Sequence, residues 1–532
     1  MSRLEIASPK RAKIVMEGLY KDLERRIESS PPGLCPVDMA RAFLELCHAQ
    51  TCGKCVPCRI GLGQLNNFIR EVLDGKATMK TLDIMEQTAL SIMESADCAI
   101  GYEAANMVYK GLIGYRDDYI EHIQNGRCTC TYNQPVPCVS LCPAHVDIPG
   151  YIALVGEGRY ADAIRLLRKD NPFPTTCGFI CEHPCEARCR RNMVDDSINI
   201  RGLKRVAADF AGEVDPPQCA PSTGKKIAIL GGGPGGLSAA YYLQLMGHQT
   251  TVYEMLPELG GMLRYGIPNY RLPKERLDDD IRAILKTGVQ VKNGLKIGQD
   301  ITIQELRQQY DVVLITIGAS TDKKLGLENE DADGIISAVQ FLRNVGKNQI
   351  IDLTGKEVAV IGGGNVSMDA VRTAKRLGAK KVSIVYRRRV ADMTALPGEI
   401  EGAVAEGIEL QTLKAPASID VDENHHVKGI YVTPQMVSSI RDGRASIKPT
   451  GEEDIYIPCD VLIVAIGQNI ETHHFEQAGI PVERGKIITK STGAFENLPG
   501  VFAGGDCASG PASVIKAIAA AKVVAANIDG FH

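Results

Sequence analysis

Two stretches of this chain, KKIAILGGGPGGLSAAYYL from residue 225 and KEVAVIGGGNVSMDAVRTA from residue 356, repeat one pattern. Each is an apolar run one strand long, then a run of glycines, then a helix-forming stretch. Each is answered later by a second apolar strand closing on Ile-Gly: DVVLITIGAS (311–320) and DVLIVAIGQN (460–469). A strand that turns through glycine straight into a helix is continued by a parallel neighbour, because the helix carries the chain back along the sheet. The repeat predicts two Rossmann-like dinucleotide-binding domains, the second inserted in the first.

The glycine turns differ in what they can hold. In the first, Gly231, Gly233 and Gly236 complete G-x-G-x-x-G. That spacing lets backbone N–H groups approach a pyrophosphate at a helix N-terminus. The next strand, QTTVYE, ends in Glu254, 18 residues past the last glycine, where a carboxylate can bond ribose hydroxyls. The second turn has Gly362, Gly364 and the adjoining Asn365, with Ser367 in the place of the third glycine. Its following strand, KVSIVY, runs into Arg387, Arg388 and Arg389. A guanidinium there pairs bidentately with a 2'-phosphate. The first site therefore suits FAD and the second NADP(H). The competing readings are a glycine turn that serves packing only and a basic edge that faces water.

The other half of the chain is marked by cysteine. Of 17 cysteines, 14 lie between Cys35 and Cys189. The amino end has no apolar secretory core, and no uncharged run approaches the length of a membrane span. A cytoplasmic protein is expected, and in that reducing compartment thiols serve metal or redox chemistry rather than a disulfide framework. The net charge of -4 gives no reason to expect nucleic acid. Residues 1–125 read as helical, with MARAFLELCHAQ and MKTLDIMEQTALSIMESADCAIG carrying apolar residues every three or four positions. A second cysteine block follows, CTCTYNQPVPCVSLCP and TCGFICEHPCEARC, around GYIALVGEGRYADAIRLLRK, read as one amphipathic helix. Its four-residue spacings suit an iron–sulfur cluster, with zinc as the alternative. The segment EVDPPQCAPSTGKK reads as a linker. Cys459 and Cys507 stand alone, so a thiol exit from the flavin is not expected.

The stretches GGMLRYGIPNYRLPKE, VIGGGNVSMD, VYRRR and PGVFAGGDCASGPASVIKAIAAAK resemble the glutamate synthase small subunit and its relatives from about residue 126 onward. Those relatives include the FAD- and NADPH-binding half of dihydropyrimidine dehydrogenase and the large subunit of the ferredoxin-dependent bifurcating transhydrogenase. The resemblance implies Gly260 and Gly261 near FAD, and Gly505 and Asp506 at its ribityl or pyrophosphate. It implies two clusters. One would use Cys130, Cys138 and Cys189, with Cys128 as a replacement where Asn133 stands in the family's cysteine position. The other would use Cys142, Cys181 and Cys185. Relatives complete the second with a glutamine or glutamate in the segment written INIRGLK here, where this chain has Lys204. A protonated lysine is a poor ligand, so Cys177, another group or no cluster are the alternatives.

TCGKCVPCRIG, followed by DCAIGYEAANMV, is similar to the cluster domain ending the NADH-oxidising flavoprotein subunit of complex I. That resemblance implies a 4Fe–4S cluster on Cys52, Cys55, Cys58 and Cys98. The FMN domain preceding it in complex I has no counterpart here. The organisation expected is a helical 4Fe–4S domain (1–125), a helical domain with one or two clusters (126–220), a first FAD-binding segment (221–345), an NADP(H)-binding domain (346–470) and a second FAD-binding segment (471–532). Function follows as an NADP(H)-dependent FAD and iron–sulfur oxidoreductase subunit with two or three clusters. It exchanges electrons with other redox subunits or a ferredoxin-like protein docking near the amino-terminal cluster, in a hetero-oligomer. A transhydrogenase or bifurcating complex, a formate dehydrogenase and an NADPH oxidoreductase are the settings weighed. Glutamate synthase electron input and a non-catalytic redox-sensing adaptor are the rivals. No catalytic side chain is assigned, because hydride transfer needs stacked rings rather than an acid or base.

Overall fold

The computed structural model describes residues 15–16, 18–21, 35–126, 136–193, 195–349, 351–441 and 444–531. By its internal contacts the chain falls into two units, Met1–Ile148 with His183–Ile200, and Pro149–Glu182 with Arg201–His532.

The first unit is helical. Pro36–Ala49 begins on proline, whose missing N–H costs nothing in a first turn. It buries Val37, Ala40, Phe43, Leu44 and Cys47, spaced three and four apart. Leu62–Leu73, Met79–Ser95, Ala99–Gly114 and Arg116–Asn125 close the bundle around Leu65, Ile69, Leu82, Met85 and Tyr119. The stretch from Met79 to Gly101 is not one helix. Ala96 and Cys98 are extended, and Cys98 stands as the N-cap of Ala99–Gly114. The short helices Pro137–Leu141 and Pro184–Ala187 belong to the same unit. Arg188 is fastened there by Asp117, and its carbonyl accepts from the Tyr115 hydroxyl at 3.1 Å.

The second unit opens with two helices where the sequence predicted one. Ile148–Gly156 and Tyr160–Asp170 are separated at Gly158, which takes φ +72°. An apolar stripe can continue in register across such a break, so periodicity alone does not reveal it. Pro174–Ile180 and Ile200–Phe210 follow. The first turn of Pro174–Ile180 is capped from outside: Asp280 accepts from the Thr175 and Thr176 N–H groups at 3.2 and 2.7 Å.

Two parallel sheets come next. Their strands are β1 (Lys226–Leu230), β2 (Gln249–Glu254), β3 (Gln290–Asn293), β4 (Val312–Ile315), β5 (Ile335–Ser337), β6 (Glu357–Ile361), β7 (Lys381–Tyr386), β8 (Glu409–Thr412), β9 (Val461–Val464) and β10 (Val501–Ala503). One sheet runs β10-β4-β1-β2-β3 and the other β5-β9-β6-β7-β8. In the first, Ala228 pairs with Thr251 on one side and Val313 on the other; in the second, Ala359 pairs with Ser383 and Leu462. The interior strands are buried along nearly their whole length, as covered parallel strands must be. β5 lies before the expected boundary at 345, yet it belongs to the second sheet. An antiparallel sheet of Lys414–Val421, Val427–Arg441, Arg444–Pro449 and Ile455–Pro458 stands between β8 and β9; the sequence patterns did not anticipate it. The last helix, Val514–Asp529, buries Ile515, Ile518, Ala521 and Ala525. Among the described residues no helix is long and apolar enough to cross a membrane.

Candidate functional site

Both glycine turns behave as the strand–helix junction requires. β1 leads through Gly231 into the helix Pro234–Leu245, with Gly233 as N-cap. A Cβ on Gly236 would lie 2.0 Å from the Gly231 carbonyl oxygen, so helix and strand meet too closely for any side chain there. Gly260 donates to the Gly232 carbonyl at 2.8 Å. Gly261, at φ +52°, approaches so near that its Cβ would lie 2.8 Å from Gly233 Cα. The loop at 260–261 is thus part of the first turn.

Glu254 ends β2 as expected but is already engaged. Its Oε2 accepts from Gly232 N–H at 2.7 Å and its Oε1 from Leu256 N–H at 2.8 Å. Burial pushes this carboxyl up, and the backbone hydrogen bonds from Leu256, Gly232 and Met255 pull against it. The acid therefore braces the turn and leaves only its remaining lone pairs for a ligand.

β6 leads through Gly362 into the helix Asn365–Arg376, with Gly364 as N-cap. Asn365 donates to Glu182 at 3.1 Å and accepts from Leu396 N–H at 3.0 Å. Beyond β7 the three arginines separate. Arg389 turns to Asp392, whose carboxyl its guanidinium holds down at about 2. Arg388 Nε donates to the Ala445 carbonyl at 3.0 Å. Arg387 is exposed.

One cavity of about 1250 Å³ joins these parts. Its wall takes in Pro234 beside the first turn, Gly362, Gly364 and Asn365 of the second, Arg387 and Arg388, and Asp506. Asp506 is drawn up by burial against a hydrogen bond from Ala512 N–H. The volume exceeds an ordinary single-ligand pocket. Sequence reasoning missed three further residues on this wall, Lys323, Lys324 and Arg271. The lysine pair was visible as a charge run. Arg271 lies in GGMLRYGIPNYRLPKE, but its partner could not be read there. Its Nη1 donates to both oxygens of Asp369 at 2.9 and 2.8 Å, and its Nε faces Glu399 at 3.1 Å. Burial drives the Asp369 carboxyl up to about 6, against the pull of Arg271.

The thiols of TCGKCVPCRIG and Cys98 lie within electrostatic reach of Cys58. The Cys58 thiol is pushed up to about 12 by burial first, then by Cys55, Cys98 and Cys52. For Cys55, burial acts upward, but hydrogen bonds from the Cys58 and Asp97 backbones and the Cys58 thiol outweigh it. A cationic centre among these thiols would relieve the opposition at Cys58. Gly101 leaves the room, since a Cβ there would lie 2.6 Å from Cys58 Sγ. Among the described residues no three His, Cys, Asp or Glu side chains close in as the shell of a single ion.

In the second block, Cys138 is raised by burial first and then by Cys189, with Cys142 also contributing. Cys189 Sγ also accepts from Ile198 N–H at 3.5 Å. Cys128 and Cys130 lie outside the described residues. Cys185 belongs to the first unit, Cys177 and Cys181 to the second. The buried Cys177 thiol is raised by burial and by Cys181, and lowered by Lys204. Lys204 is buried, its ammonium 5.9 Å from the Tyr151 ring centre. Cys459 and Cys507 are buried thiols pushed up to about 12, with no cysteine among the groups acting on either.

Residues 225–521 match the pyridine nucleotide-disulphide oxidoreductase model. The chain belongs to that family. Residues 38–122 of this oxidoreductase match the iron–sulfur binding region of NADH-ubiquinone oxidoreductase-F, and 114–215 the 4Fe–4S cluster domain II of dihydropyrimidine dehydrogenase. It is 32% identical over 563 residues to the NADP(+)-dependent formate dehydrogenase subunit beta of Moorella thermoacetica, covering 92% of this chain and 79% of that one. It is 34% identical over 523 residues to the NADPH-Fe(3+) oxidoreductase subunit beta of Geobacter sulfurreducens, covering 92% and 77%. It is 34% identical over 414 residues to the glutamate synthase (NADPH) small chain of Escherichia coli, covering 74% and 87%. The structure of Mycobacterium tuberculosis FprA in complex with NADPH shares the fold, at a TM-score of 0.50 and 21% identity over 58% of this chain and 85% of that one. The family member described here is an NADP-dependent FAD and iron–sulfur oxidoreductase.

Proposed function

We propose that this chain is the NADP(H)-handling subunit of a hetero-oligomeric, cytoplasmic redox complex that exchanges electrons between NADPH and a protein partner. The observation that carries this reading is a cavity whose wall takes in Pro234, beside the first glycine turn, together with Gly362 and Gly364 of the second. Two nucleotides bound at its two ends would bring their reactive rings to one place, and proximity supplies much of the rate of a hydride transfer. When bound, the flavin and the clusters supply the exchange between electron pairs and single electrons.

The residues divide the work. Gly231, Gly233, Gly236, Gly260 and Gly261 let backbone N–H groups reach the FAD pyrophosphate, and Glu254 holds that turn in shape. Gly505 and Asp506 close the flavin side. Gly362, Gly364 and Asn365 hold the NADP pyrophosphate at a helix N-terminus. Arg387 and Arg388 take the 2'-phosphate, Arg389 being held by Asp392. Cys52, Cys55, Cys58 and Cys98 hold one cluster. Cys138, Cys142, Cys185 and Cys189 serve the second block, with Cys128, Cys130, Cys177 and Cys181 as the remaining candidates. The strand order supports a nucleotide domain inserted between β4 and β10 of the flavin domain.

Among the settings weighed, a formate dehydrogenase or NADPH oxidoreductase complex is favoured over glutamate synthase. The relatives named for the first two span 92% of the chain, whereas the glutamate synthase chain spans 74%. Purification from the native source, with subunits, iron and flavin counted, tests this. Co-purifying formate dehydrogenase or iron-reductase partners support it, and a synthase subunit overturns it.

A further inference from the structure

The stretch 52–61 presents more than ligands at the surface. Cys58 is buried, Cys55 and Cys98 are half-buried, and Cys52 is exposed, so the thiol set opens outward at Cys52. Beside it Val56 and Ile60 are 57% and 51% exposed. Val56 is the N-cap of the π-helical turn Pro57–Gly61, which carries Arg59 and Ile60. Lys54 and Arg59 are exposed, and among the described residues neither side chain has an ion pair or hydrogen bond. Asp97 is the acid that acts on Cys55. A single exposed aliphatic residue is ordinary. Two of them edged by two unpaired cations, around the most exposed thiol of a cluster site, have the anatomy of a contact patch: an apolar centre and a charged rim.

We propose that Lys54, Val56, Arg59 and Ile60 form the docking surface for a one-electron redox protein that presents an apolar spot edged with carboxylates. This rests on the reading of the chain as an electron-transfer subunit and names the kind of partner it serves. The cations steer the encounter, Val56 and Ile60 exclude water from the contact, and Cys52 is the edge nearest the partner. The stoichiometry is closed: one NADPH gives up two electrons, leaving NADP⁺ and one proton, and two molecules of partner each accept one electron.

The test uses the full-length protein, prepared anaerobically with its cofactors, and a purified acidic 2Fe–2S ferredoxin as probe. Binding is measured without turnover at low salt and at about 0.3 M salt, where surface charges are screened. The expected result is a wild-type affinity that falls about tenfold or more with salt. Lys54→Glu with Arg59→Glu, and separately Val56→Asp, should lose about tenfold at low salt with iron content and NADPH bleaching of the flavin unchanged. Salt-independent binding by the wild type, absence of binding, or an unaltered double variant would overturn the proposal. So would self-association through this face that Val56→Asp breaks. The wild-type salt dependence decides even where a variant loses iron. A wild type whose flavin NADPH does not bleach would instead fell the functional reading and leave the binding result standing.

Discussion

Arg389 donates to both oxygens of Asp392, at 2.8 and 3.0 Å, so the third arginine of YRRR holds the loop that carries the other two. Asp392 also accepts from Ala445 N–H at 2.9 Å, and its carbonyl accepts from the Tyr386 hydroxyl at 2.7 Å. One carboxylate thus ties the end of β7 to the antiparallel sheet. Asp392→Ala is expected to raise the KM for NADPH about tenfold, the loss of one charged hydrogen-bond set. Flavin content should stay at wild-type level. Titration of NADP⁺ binding by the purified variant checks this.

Arg387→Ala and Arg388→Ala should act on the phosphate itself. Each removes a charge-assisted contact, worth about 1.5–3 kcal/mol, or roughly tenfold to a hundredfold in affinity. The loss should fall on NADPH and spare NADH. Steady-state kcat/KM for both nucleotides gives the readout. Equal losses for the two would mean that the arginines do not face the 2'-phosphate.

Two neighbouring glycines offer an internal control for the first turn. A Cβ on Gly236 meets the Gly231 carbonyl at 2.0 Å, while one on Gly235 meets nothing within 4 Å. Gly236→Ala should therefore yield protein largely devoid of flavin, and Gly235→Ala should keep a full complement. Flavin released per chain on denaturation measures both.

Asp369 should leave a mark on stability at mild pH. Its folded value is raised from 3.8 to about 6 by burial, which outweighs the pull of Arg271. Between those values the folded chain holds a proton that the unfolded chain has lost. Stability therefore falls as pH rises, by about 1.4 kcal/mol per unit, and levels off above pH 6. Asp369→Asn lacks this slope. Comparing the melting of the two proteins from pH 5 to 8, the wild type should lose ground to the variant up to about pH 6.5 and hold a constant difference beyond it.

The features legible in the sequence were the local ones. Gly231 and Gly362 sit between strand and helix because one turn of backbone dictates it, and Arg387 follows its strand for the same reason. Arg271 was not legible as a cavity residue, because Asp369, which holds it, is 98 positions away. Gly158 interrupts an apolar stripe without disturbing its period, so two helices read as one. Cys98 was placed by resemblance, but the helix break that exposes it to Cys58 depends on extended backbone at Ala96, which periodicity does not encode. Lys204 was visible as an unusual residue, and its burial beside Tyr151 is a product of packing.

The central claim is that both nucleotides work from one cavity. Anaerobic rapid mixing of the cofactor-loaded protein with NADPH, followed by flavin absorbance, tests it most directly. Bleaching at least as fast as turnover, slowed at low NADPH when Arg387 and Arg388 are both replaced by alanine, is the expected result. A flavin that stays oxidised while NADPH is bound would contradict it.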